Sequence, residues 1–269
     1  MRGSSHRRRL LRNLPVGAAA LEPFKQSAHG MFRVKICGVT SVADGQLVAA
    51  GGADAVGLNF IEGSSRCLSV EQATAIAAAL PAEIVKVGVF VGRSAAEMLA
   101  IAAGVGLDMI QLHGFFDGPP ATCDPPWRCG ELQPYPVIRA VRLDEPSADP
   151  DRLATARQWI DAAGACGCRP AMVVLDAGVS RGTAAGRLGG TGHTVDWEAV
   201  AGSPPLQVPA MLAGGLTPEN VGTAIRASGL AVVDTASGVE SAPGQKDPDR
   251  VRRFVAAANA AAAASGPFS

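Results

Sequence analysis

From residue 33 onward the chain alternates two kinds of segment. Short apolar runs rich in Val, Ile and Leu are followed by longer, Ala-rich amphipathic stretches. The short runs predict strands at 33–37, 54–60, 84–91, 107–112, 136–142, 171–176, 208–213 and 230–234. The longer ones predict helices over 41–51, 69–80, 94–104, 151–163, 217–228 and 247–264. Several helices open on residues whose side-chain oxygens satisfy free backbone N–H groups: Thr40 or Ser41, Ser69 with Gln72, and Ser94 with Glu97. Thr217 with Pro218 reads as an N-cap followed by proline at the first helical position.

Eight strands alternating with helices over 269 residues predict an α/β fold, a (β/α)8 TIM barrel forming a single domain. A doubly wound open sheet is the alternative. No Gly-rich dinucleotide fingerprint follows the first strand, and the barrel requires none. Two regions break the alternation. Residues 114–135 are too rich in Pro and Gly for a regular helix, so the fourth helix is expected to be short or replaced by a loop. Residues 177–195 form a long Gly-rich loop leaving the sixth strand, which in a barrel suggests a lid.

Composition adjusts this picture at one end. The formal net charge is zero, which gives no general reason to expect a nucleic-acid partner. Residues 1–33 nevertheless hold seven Lys or Arg against one acid, leaving 17 basic and 23 acidic residues, a net of −6, in the remainder. Residues 1–32 therefore read as a basic, disordered leader or an over-early start. An organelle transit peptide or an RNA-touching tail is the other reading. The barrel domain is expected over 33–269. No charge-free apolar run of the ~18 residues needed for a membrane span occurs, so a cytoplasmic protein, monomer or homodimer, is expected. The six cysteines do not suggest a disulfide framework, and the spacings of Cys123, Cys129, Cys166 and Cys168 fit a zinc site poorly.

In a barrel, chemistry sits where strands hand over to the following loops. Strand 1 ends in Cys37-Gly38 and strand 6 in Asp176. With a side-chain period of two, Lys35 shares a face with Cys37, about 6–7 Å back along the strand, and is expected to favour the thiolate. Asp176 shares its face with Met172 and Val174, which directs it into the lumen. A thiol and a carboxyl facing each other there would form a base–acid pair. Each has a plainer reading: Cys37 as a small core residue, Asp176 as a cap for the next turn. Strand 7 ends in Gly214-Gly215, and strand 8 in Asp234 followed by Ser237-Gly238. Close backbone approach at these glycines, and a short helix opening at Ser237, suit a phosphate group. Arg66, just past strand 2, is either a bidentate carboxylate anchor or a solvated loop charge.

Taken in order, nine blocks resemble the phosphoribosylanthranilate isomerase family of tryptophan biosynthesis. They are Lys35–Thr40, Gly52–Phe60, Ser64–Arg66, Val87–Val91, Gln111–Gly114, Leu175-Asp176, Gly189–Gly192 with Asp196-Trp197, Leu212–Leu216, and Ser237–Ser241. The resemblance spans about residues 33–257. It implies that Cys37 is the general base, Asp176 the general acid and Arg66 the partner of the anthranilate carboxylate. It further implies phosphate binding by Gly214, Gly215, Ser237 and Gly238, with Asp234 near a sugar hydroxyl. The implied substrate is a small sugar phosphate, with no metal or organic cofactor. Where family members often carry acidic residues after Gln-Leu-His-Gly, this chain has Phe115-Phe116, and the loop after Asp176 is longer than usual. A divergent, non-catalytic sugar-phosphate-binding barrel is the competing reading. Indole-glycerol-phosphate synthase, which would bring a lysine and glutamate set at its strand ends, and ribulose-phosphate epimerase, which would bring metal-binding histidines, fit less well; His113 and His193 are expected only in loops.

Overall fold

The computed structural model describes residues 32–115, 123–143, 151–176 and 197–264. Eight parallel strands close into a barrel in chain order: β1 (Val34–Cys37), β2 (Ala55–Asn59), β3 (Val85–Phe90), β4 (Met109–Leu112), β5 (Val137–Arg142), β6 (Met172–Asp176), β7 (Ala210–Ala213) and β8 (Val232–Thr235). Every expected strand is present. The helices between them are α1 (Val42–Ala50), α2 (Val70–Ala79), α3 (Ala95–Val105), α4 (Arg128–Glu131), α5 (Ala154–Ala165), α6 (Trp197–Gly202) and α7 (Val221–Ser228). After β8 come a 3-10 turn (Ser237–Val239), a hairpin of β9 (Glu240–Ala242) and β10 (Gln245–Lys246), and α8 (Pro248–Ala264).

Strands of a parallel barrel are buried on both faces, and the period of two sorts their side chains into two cores. Ala55, Val87, Met109, Ile138, Met172, Val174 and Met211 fill the lumen, and Phe32 joins them at the N-terminal end of the barrel. The alternate positions, among them Val34, Ile36, Val56, Leu58, Ile110, Leu112 and Leu212, meet the helices together with Met98 and Phe254. Most lumen-facing residues at the opposite, C-terminal ends are polar, among them Cys37, Asn59, Arg142, Asp176 and Asp234, whereas Ala213 of β7 is apolar. That change from apolar to polar along one face is what makes the barrel mouth a site.

The helix starts follow their caps. Ser41 accepts from the Asp44 N–H, and both Ser69–Gln72 and Ser94–Glu97 form reciprocal capping boxes. Thr217-Pro218 does not open α7, contrary to expectation. The Thr217 N–H donates to Asn220 Oδ1 at 2.8 Å, so these residues form a turn and the helix begins at Val221. Among the described residues of the Pro-rich region only the single turn α4 is helical, as its composition required. The region is tied down through Asp124. Its buried carboxylate accepts from the Gly114 and Gly92 N–H groups, and its carbonyl accepts from Trp159 Nε1. Cys129 of α4 lies against Cys168 beyond α5; burial first, then that neighbouring thiol, pushes it up to about 12. Among the described residues no helix is long and apolar enough to cross a membrane. Residues 1–31 of the expected leader and the expected lid at 177–195 lie outside the described residues.

Candidate active site

At the mouth, the inward-facing set includes Cys37 of β1, Gly57 and Asn59 of β2, Gln111 of β4, Arg142 of β5, Asp176 of β6 and Asp234 of β8. His113 follows β4 on the same alternation. Cys37 and Asp176 therefore face a common space from strands that stand three steps apart round the ring, by way of β8 and β7.

The thiol fits because its ladder partner is glycine. Cys37 pairs with Gly57, and a Cβ at Gly57 would lie 2.5 Å from the Cys37 sulfur. Any side chain there would displace the thiol. The Gly38 and Val39 N–H groups both donate to the Gly57 carbonyl, which fixes the chain leaving β1.

Lys35 is fully buried and donates to Asp234 Oδ2 at 2.9 Å; the two are register partners on β1 and β8. Burial by itself would push the ammonium down, but the Asp234 carboxylate and, after it, Cys37 together outweigh it, so Lys35 stays charged. That pairing changes the expectation for Cys37. Burial pushes the thiol up; Lys35 and Lys246 pull it down, Asp234 opposes them, and the net direction is upward. The lysine does favour the thiolate, but its charge is shared with Asp234 and does not outweigh desolvation. Asp234 Oδ1 is buried with no hydrogen-bond partner among the described residues.

Asp176 lies 3.5 Å from His113 Nε2, and His113 Nδ1 is 3.2 Å from Gln111 Nε2. Burial pushes the imidazole down, more than the Asp176 carboxylate lifts it, so His113 is neutral near pH 7. With the Gln111 amide placed to donate to Nδ1, the Nε2–H is the one that points to Asp176. The sequence pattern alone places His113 in a loop. Its place on the inward alternation, two residues beyond Gln111, is the signal that finds it.

Arg66 is engaged from one side. Its Nε donates to Glu240 Oε1 at 2.8 Å and its Nη2 to Glu240 Oε2 at 2.5 Å, which leaves the Nη1–Nη2 edge outside the pair. Arg66 also lies over the end of β1: a Cβ at Gly38 would meet its Cδ at 2.3 Å.

The two glycine-bearing loops are brought together. Gly214 and Gly215 take positive φ of 87° and 63°, and the chain then runs through Leu216. The Leu216 carbonyl accepts the Thr235 hydroxyl at 2.7 Å. A Cβ at Gly238 would lie 1.8 Å from that same oxygen, so position 238 admits only glycine in this packing. Ser237 begins the 3-10 turn expected of it.

The family model for N-(5'-phosphoribosyl)anthranilate (PRA) isomerase matches residues 34–257. An N-(5'-phosphoribosyl)anthranilate isomerase of Ruegeria sp. is 43% identical over 228 residues, covering 85% of this chain and 98% of the relative. The crystal structure of phosphoribosyl anthranilate isomerase from Thermotoga maritima superposes with a TM-score of 0.68 at 32% identity, covering 86% of this chain and all of that one. A phosphoribosyl anthranilate isomerase in complex with reduced 1-(o-carboxyphenylamino)-1-deoxyribulose 5-phosphate gives a TM-score of 0.66 at 31% identity, with 86% of this chain and all of that chain covered.

Proposed function

The chain belongs to the N-(5'-phosphoribosyl)anthranilate isomerase family, and on that premise we propose that Cys37 is the general base and Asp176 the general acid of its reaction. The reaction is the Amadori rearrangement of N-(5-phosphoribosyl)anthranilate to 1-(2-carboxyphenylamino)-1-deoxyribulose 5-phosphate, a step of tryptophan biosynthesis. The observation that carries the role assignment is the placement of Cys37 and Asp176. Both stand on the inward alternation at the C-terminal ends of β1 and β6, facing one space.

Asp176 donates its proton to the furanose ring oxygen as the C1–O bond breaks, and the nitrogen lone pair forms the C1=N Schiff base. Cys37 then removes the C2 proton, and the C–H electron pair moves toward nitrogen to give an enolamine. Proton return at C1, with loss of the enol proton, yields the ketose. The Schiff base is itself the electron sink, so the chemistry calls for no metal or organic cofactor. The Nη1–Nη2 edge of Arg66, outside its pair with Glu240 on the Nε side, suits the anthranilate carboxylate. Backbone N–H groups at Gly214, Gly215, Ser237 and Gly238 suit the phosphate. Asp234 Oδ1, buried without a partner among the described residues, suits a sugar hydroxyl. His113 holds Asp176 in place from the β4 side. A phosphorylated carboxylate does not cross a bilayer unaided, so we place the enzyme where its substrate is made, in the cytoplasm.

The test follows loss of substrate fluorescence on mixing purified enzyme with phosphoribosylanthranilate. Cys37→Ser and Asp176→Asn should each lower kcat by about 10²–10⁴-fold, the range for a lost acid or base. Full turnover in either variant overturns its assigned role.

A further inference from the structure

A buried ammonium ties three parts of the mouth together. Lys246, on β10, has a fully buried side chain. Its Nζ donates to the Cys37 carbonyl at 2.7 Å, to the Ala236 carbonyl at 3.2 Å and to Glu240 Oε1 at 2.7 Å. A lysine has three N–H donors, and all three are used. The first acceptor belongs to the residue read as the base. The second immediately precedes Ser237-Gly238. The third is the carboxylate that grips Arg66.

Glu240 completes the chain of contacts. Its side chain is buried and receives Lys246 on Oε1 and the Nε–Nη2 edge of Arg66 on both oxygens. Burial would raise this carboxyl, but Arg66 and Lys246 outweigh it and hold it below the ordinary glutamate value. The hairpin that carries both residues is anchored from outside the mouth. Thr40 donates to the Gly244 carbonyl, Lys246 N–H donates to Asp44 Oδ1, and Arg250 donates to the Glu240 carbonyl. A point-like ammonium suits three carbonyl and carboxylate oxygens arranged around one centre, whereas the flat fork of an arginine does not.

We propose that Lys246 and Glu240 are positioning residues of the isomerase. Lys246 sets the thiol-bearing end of β1 against the phosphate-side loop, and Glu240 holds the guanidinium of Arg66 so that its Nη1–Nη2 edge is the one left for the substrate carboxylate. The inference rests on reading Cys37 as the base and Arg66 as the carboxylate anchor. It adds that neither residue holds its place alone.

The experiment is a double-mutant cycle read in KM and kcat separately, with folding followed by circular dichroism. Glu240→Gln should raise KM about tenfold or more and change kcat less. In an Arg66→Met background the same substitution should have little further effect, because Glu240 acts through Arg66. Lys246→Met keeps the stem and removes the charge, and should lower kcat at least tenfold while raising KM. Should Glu240→Gln fail to fold, Glu240→Asp retains the charge but withdraws it by one methylene, and the same KM rise and the same loss of effect beside Arg66→Met are expected. Fully additive effects of Glu240 and Arg66, or an unchanged KM in folded Glu240 variants, overturn the inference. An unchanged KM in Arg66→Met alone, or full turnover in Cys37→Ser, overturns the reading beneath it.

Discussion

At the tip of β1 a thiol works among opposed charges: Lys35 behind it, Asp234 beside that lysine, and Lys246 under its carbonyl. Because burial wins and the thiol is pushed up, the thiolate fraction near neutrality is below the few per cent of a free cysteine. The sign of the pH dependence follows. A thiol whose pKa is raised gains its thiolate as pH rises, so alkylation at Cys37, read by peptide mass, should speed up about tenfold per pH unit between roughly pH 6 and 8. A rate that does not change over that range would contradict the upward shift. Lys35→Met should lower kcat/KM at every pH. It also leaves Asp234 as an uncompensated buried charge, a cost of about 3–5 kcal/mol that denaturant melts would read. The candidate base and acid were legible in sequence because each ends an apolar run, where the period of two dictates its face. Their tuning was not. Lys35 and Asp234 are 199 positions apart and Arg66 and Glu240 174 apart, and only barrel closure makes them neighbours.

Elements were more legible than residues. All eight strands stand where short apolar runs lie, because a strand buried on both faces leaves a near-continuous apolar signature. The short helix α6 escaped, since one or two turns carry too few positions to show a period, whereas α4 is the short piece that the Pro-rich composition allowed. Loss of a capping box acts on a whole element: Ser69→Ala or Ser94→Ala should each cost about 1 kcal/mol and lower Tm by roughly 2–4 °C, without changing KM. Gly238→Ala belongs to the same scale with the opposite signature. Its Cβ would strike the Leu216 carbonyl and part the β7 and β8 loops, so KM should rise while the barrel stays folded. Near-UV circular dichroism beside steady-state kinetics separates the two cases, and an unchanged KM in Gly238→Ala would argue against phosphate binding there.

For the whole molecule, the described cores and mouth of the barrel begin at Phe32, already packed in the lumen. Deleting residues 1–31 is therefore expected to leave kcat and KM unchanged, while removing six of the seven basic residues in the first 33. Loss of turnover would show that the leader takes part in the fold. The six thiols carry a further consequence at this scale. Cys67 and Cys166 are exposed, whereas Cys37 is partly covered and its pKa is pushed up. An alkylating reagent selects thiolates it can reach, so at neutral pH it should mark those two sites before Cys37, the proposed base. Covalent labelling would then run ahead of inactivation, and stoichiometry alone would report a modified enzyme that still turns over.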